Sequence, residues 1–122
     1  MPKIDHIQIK VTTAGSAGSA VGSASSSALN GKLLAVHVDY TSQPATTDVT
    51  ITANSPSMPI LTLTNANTDA WKYPRQLMDG ITGSALTGVY EPLPIYGAVT
   101  VAVAQGDAVT DGVVVTLVIE RE

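Results

Sequence analysis

The run "GKLLAVHVDY", Gly31–Tyr40, decides how the rest of the chain reads. Its residues alternate. Leu34, Val36, Val38 and Tyr40 fall on one side, and Leu33, Ala35, His37 and Asp39 on the other. A period of two, with β-branched residues in the middle, is the pattern of a strand with one face against a core. A helix would bring residues three and four apart together, which would mix the two sets.

The same period recurs on either side. "IDHIQIKVT" sets Ile7, Ile9 and Val11 against His6, Gln8 and Lys10. "TTDVTITA" offers Val49 and Ile51, and "YGAVTVAVAQ" offers Val99, Val101 and Val103. "PILTLT" turns either Leu61 and Leu63 or Ile60 inward, and alternation alone does not choose. "GVVVTLVIERE" is a β-branched run that ends polar. Between the runs stand turn formers: Asn30-Gly31, Asp79-Gly80, Gly106-Asp107 and Asp111-Gly112. Pro44, Pro56, Pro59, Pro74, Pro92 and Pro94 are expected between runs or at their starts, where a missing N–H does little harm. A short turn is expected near Pro74–Met78. No segment has a 3.6-residue period. The expectation is an all-β fold: a two-sheet antiparallel sandwich of seven to nine short strands, in one domain spanning residues 1–122. The Cys…Trp…Cys spacing of immunoglobulin domains is missing, which favours a jelly roll.

Thr12–Gly31, "TTAGSAGSAVGSASSSALNG", has the composition of a flexible linker. A structureless loop of about 20 residues inside a small domain is itself unusual. The alternative is a strand whose tiny side chains let another backbone, or a second subunit, come close.

Composition narrows the chemistry. The chain has no cysteine, so thiolate catalysis and Cys-ligated zinc are excluded. Six Lys/Arg against ten Asp/Glu give a net charge of −4, and the six cations are scattered, so direct nucleic-acid binding is not expected. The start "MPKIDHIQIK" has no apolar segment after its lysine, and no run reaches the roughly 18 apolar residues of a membrane helix. The expectation is a soluble protein made in a cytoplasm, with no membrane partner. Charged residues make up 13%, against about 25% in ordinary soluble domains. Such a surface is either covered by a partner or kept soluble by its many hydroxyls.

Candidate chemistry is thin. His37 and Asp39 share a strand face, so an Asp–His pair is conceivable, but no GxSxG turn accompanies them. His6 and His37 lack a metal-ligand spacing, and Asp107 and Asp111 read as turn residues. No phosphate-binding glycine motif ends in the lysine it needs. No enzyme, cofactor or metal is expected.

The segment "NANTDAWKYPRQLMDG", Asn65–Gly80, stands apart, because it holds the only tryptophan. Trp71, Tyr73 and Arg75 alternate, and Leu77 and Met78 add apolar surface. Trp, Tyr and Arg are the types enriched at interface hot spots. Three readings stay open: Trp71 as a lid on the sandwich core, a protein contact made by Trp71, Tyr73, Arg75, Leu77 and Met78, or an aromatic platform for sugars.

The order of segments carries a resemblance. "GSAVGSA" precedes "NGKLLAVHVDY", followed by "TTDVTI", "ILTLTNANTDAWKYPR", "YEPLPIYGAVTVAVAQGD" and "VVVTLVIERE". Across nearly its whole length the chain resembles the small jelly-roll cement, or decoration, proteins of tailed bacteriophages. That resemblance implies a homo-oligomer, dimer or trimer, on the capsid exterior of a virion assembled in the host cytoplasm. Its partner would be the major capsid protein, whose subunits it would bridge and stabilise. The alternative is a carbohydrate-binding sandwich used in host recognition, or a sandwich associated with a tail or head fibre.

Overall fold

The computed structural model describes residues 2–54 and 57–121. Pro56, read above as a break between runs, lies outside them. The described residues form ten strands rather than seven to nine: β1 (Lys3–Val11), β2 (Ala20–Ser25), β3 (Leu29–Tyr40), β4 (Asp48–Asn54), β5 (Ser57–Leu63), β6 (Ala70–Lys72), β7 (Arg75–Asp79), β8 (Ala85–Gly97), β9 (Val99–Gly106) and β10 (Val113–Arg121). No helix occurs among the described residues.

One sheet runs β1-β10-β3-β8-β7, with β6 also on β3, and the other runs β2-β9-β4-β5. The pairings that build both are β1 with β10, β2 with β9, β3 with β8 and β4 with β5, all antiparallel. That is one long two-stranded ribbon rolled on itself, which is the construction of a jelly roll. β6 and β7 are additions in the β5–β8 connection.

Alternation does the packing. Ile9, Val11, Val36, Val38, Val115 and Leu117 face inward from the first sheet, and Val49, Ile51, Val101 and Val103 from the second. Each such side chain, fully buried, contributes about 1.5–3 kcal/mol. The core contains no phenylalanine and no tryptophan, so shape is set by β-branched residues whose few rotamers suit strands. Ile60 is the buried residue of its run, and Leu61 and Leu63 are half-buried at the margin.

The opening stretch departs from strict alternation at one place. The β10–β3 register pairs Val118 with Ala35 and Ile119 with Leu33, so Leu34 is an extra, bulged residue. A bulge reverses the faces beyond it. Leu33 is therefore fully buried, although alternation placed it beside His37.

Of the two readings left open for Thr12–Gly31, the ordered one holds: it carries β2, and a bridge joins Ala14 to Val21. A Cβ on Gly22 would overlap the Thr12 carbonyl, so the small residues do admit a neighbouring backbone. Three other expectations change. Asn30-Gly31 is no turn but lies inside β3, where Gly31 gives way to the Glu120 carbonyl. Pro74–Met78 is mostly strand β7 rather than a turn. Pro59, Pro92 and Pro94 sit within strands. Pro59 stands at a register shift on the edge strand β5, and Pro92 stands where β8 changes partner from β7 to β3. Both are places where a ladder hydrogen bond is dispensable.

Candidate functional site

The outer neighbour of β3 is assembled from two pieces. β6 pairs with Val36–Val38, while the end of β8 pairs with Leu29–Leu33. Between them the chain leaves β3 and returns, so residues 75–92 form a hairpin inserted in mid-strand. Its base pairs Arg75 with Pro92, followed by Gln76 with Glu91 and Leu77 with Tyr90. Arg75 anchors the base: its Nη1 donates to the Leu34 carbonyl at 3.0 Å and to the Pro74 carbonyl at 2.9 Å. The Leu34 bulge and the Arg75 anchor meet in the gap that neither β6 nor β8 fills.

β7 packs on β8 and on no other strand to any extent. The tip closes through hydrogen bonds from Gly80 N to Ser84 O (2.8 Å) and from Gly83 N to Gly80 O (2.9 Å). Every residue of β8 from Ala85 to Glu91 is exposed. The hairpin therefore presents Leu77, Ile81, Leu86, Val89 and Tyr90 to solvent, Leu77 at 40% and Tyr90 at 59% of full exposure. Single exposed apolar residues need no explanation, but five on one hairpin are more than usual.

Next to the hairpin base, Trp71 pairs with His37 across β6 and β3, with ring centroids 4.8 Å apart and planes at 53°. His37 pairs in turn with Thr116, and Thr116 with Gln8. Val36 and Val38 face the core, so this row of four lies on the outer face of the sheet. Trp71 remains 50% exposed and Tyr73 62%, so Trp71 does not cap the core.

The five residues singled out in the sequence do fall in one continuous segment. Trp71 lies on the outer face, Tyr73 follows β6, Arg75 sits at the hairpin base, and Leu77 and Met78 lie on β7. Met78 is half-buried and Leu77 stands opposite Tyr90. Leu86, Val89, Tyr90 and Tyr96 are also exposed, and the sequence pattern does not single them out. "ALTGVY" has no clean alternation, because the β7–β8 register slips between Leu77 and Asp79. His37 packs on Trp71. Among the described residues, no group of three or more His, Asp or Glu is placed to hold a metal ion.

A buried knot holds the opposite loops. The Gln43 side chain accepts from Asp107 N at 3.0 Å and donates to Asp107 O at 3.3 Å, while its own carbonyl accepts from Asn67 Nδ2 at 2.9 Å. The loop leading to Trp71 is thereby tied to the β9–β10 turn.

No protein-family model and no curated protein matches the chain. Several solved structures are distantly similar. A mutant of a family 29 carbohydrate-binding module is 13% identical with a TM-score of 0.40, over 96% of this chain and 80% of that one. Another family 29 module is 12% identical with a TM-score of 0.37, over 96% and 77%. A family two carbohydrate esterase from Cellvibrio japonicus is 10% identical with a TM-score of 0.41, over 98% of this chain but only 33% of the esterase. Likeness at this level says nothing of what the present chain binds.

Proposed function

We propose that the chain is a structural docking module of a bacteriophage virion, a cement protein that attaches to the outside of the major capsid shell. The observation that carries this reading is the hairpin inserted into β3's neighbour, with apolar side chains exposed along its length. A two-stranded hairpin is marginal in water by itself. One that keeps Leu77, Leu86, Val89 and Tyr90 uncovered gains most of its stability on docking. The segment order that resembles phage cement proteins supplies the setting. A low charge content suits a surface that ends up covered, and modest affinity per contact suffices when an oligomer engages several sites at once. The test is mass spectrometry and electron cryomicroscopy of purified virions from the phage that encodes the chain. The expected result is a regular array of this protein on the shell exterior. Particles that lack it end the proposal.

The row Trp71, His37, Thr116 and Gln8 favours a second reading, a saccharide-binding face. A half-exposed indole beside hydrogen-bonding side chains can stack on sugar C–H groups while its neighbours meet hydroxyls. Trp71 is the only tryptophan, so its fluorescence reports directly. A saturable shift with host glycans supports this reading, and a flat response across a broad panel removes it.

A further inference from the structure

The free edge of β7 has an unusual order of side chains: Arg75, Gln76, Leu77, Met78, Asp79. The charges are opposite and placed symmetrically about Leu77. β7 is the last strand of its sheet, and its ladder to β8 occupies one edge only. Uncovered edges are templates for another strand, and proteins usually protect them with a bulge, a proline or a central charge. β7 has no proline and no charge at its centre, where Leu77 and Met78 sit, although its ladder to β8 shifts register there. Among the described residues the only ion pair joins Arg121 to Asp5, and Arg75 and Asp79 have no ionic partner among them.

We propose that the occupant of this edge is a second copy of the same strand, paired antiparallel about a two-fold axis through Leu77. That register places each Arg75 opposite the other copy's Asp79 and puts the two Leu77 residues face to face. Opposite charges directly across a ladder stabilise it, and like charges weaken it. An isologous contact of this kind is the commonest way a chain forms a closed dimer. It also meets the hairpin's own need. Two strands are too few to hold together in water, whereas β8-β7 joined to β7-β8 of the copy makes a four-stranded sheet. The two Leu77–Tyr90 pairs then merge into one apolar strip. Arg75 can serve both ends, because its guanidinium carries five N–H donors and Nη1 alone holds the Leu34 and Pro74 carbonyls. This pairing rests on the reading of the hairpin as a docking element, and it goes further by naming what docks.

The chain has no cysteine, so a single introduced thiol is unambiguous. In the proposed register the two Leu77 Cα atoms lie about 4.5–5.5 Å apart, within the span a disulfide bridges. Leu77→Cys is expected to form a covalent dimer under mild oxidation, while Thr50→Cys, exposed on the other sheet, forms no covalent link. In sedimentation, the unmodified chain is expected to be a dimer, and Asp79→Arg to weaken association by about tenfold or more by setting Arg75 against arginine. A monomer or a trimer in sedimentation overturns the pairing, as does equal cross-linking of the two cysteine variants or an unchanged dimer in Asp79→Arg. The outcomes separate from those of the virion test. A monomer that still decorates particles leaves the cement role standing, and a Leu77-linked dimer absent from particles leaves the pairing standing.

Discussion

Tyr40 ends β3 with its ring packed against the core and its hydroxyl buried without a hydrogen-bond partner. Burial, assisted by the Asp69 carboxylate, pushes the phenol above its ordinary range. A raised phenol favours the neutral form in the fold, so the associated stability is present below about pH 10 and is lost as pH rises through the folded value. Tyr40→Phe removes both the unpaired hydroxyl and its titration. It is expected to raise stability by up to about 1 kcal/mol at neutral pH, and to flatten the fall in melting temperature above pH 10. Denaturation curves at pH 7 and pH 11 check both. Gln43→Ala acts in the other direction. It leaves the Asp107 N–H without its partner and is expected to cost about 1–3 kcal/mol in a urea titration. Neither role was legible beforehand, because nothing local to Tyr40 or Gln43 tells which distant loop meets it. Trp71 was legible as exceptional, but alternation gives a residue's companions and not which face is the wet one.

Among the elements, the hairpin of residues 75–92 is the least bound to the rest. Its strand β7 leans only on β8, so the sandwich does not depend on it. Replacing Gln76–Glu91 with a two-residue Asn-Gly turn, keeping Arg75 and Pro92, is expected to change the stability of the remaining fold by less than about 1 kcal/mol. Self-association and attachment through the hairpin are expected to disappear together. Calorimetry and sedimentation on the same sample separate the two effects, and a collapse in melting temperature would show that the hairpin is part of the fold. Strands with clean alternation, such as Lys3–Val11 and Val99–Gly106, were readable because burial on one face imposes a period of two. The hairpin was not, because a strand exposed on both faces has no such constraint. The Leu34 bulge escaped notice for a related reason, since a shift in register is a property of the pair of strands.

Across the whole molecule, charge is distributed unevenly. The outer face of the β2-β9-β4-β5 sheet carries rows such as Ser23, Ala102, Thr50 and Thr62, small and uncharged, with Asp48 at its margin. The opposite sheet carries His6, Lys10, Lys32 and Asp39 on its exposed positions. Few charges on one broad face leave little to hold copies apart. Thr50→Lys, placed in the middle of that face, is expected to leave the melting temperature within a few degrees and to raise the solubility limit. Turbidity against concentration checks it. If the variant instead loses attachment to particles, that face is in contact with the shell. The sandwich class was readable from strand count and turn spacing. The strand order was not, because β1 with β10 and β2 with β9 join segments about 80 to 110 residues apart, and a backbone ladder has no side-chain code for its partner.

Because the hairpin interrupts β3's neighbour and rejoins it at Arg75 and Pro92, its length and lettering are released from the demands of folding. Related chains are free to exchange that excursion for a longer, shorter or differently charged one without renegotiating the interior. Divergence is then expected to concentrate between those two gateposts, where new neighbours are met, while the valine-filled sandwich behind it stays much the same.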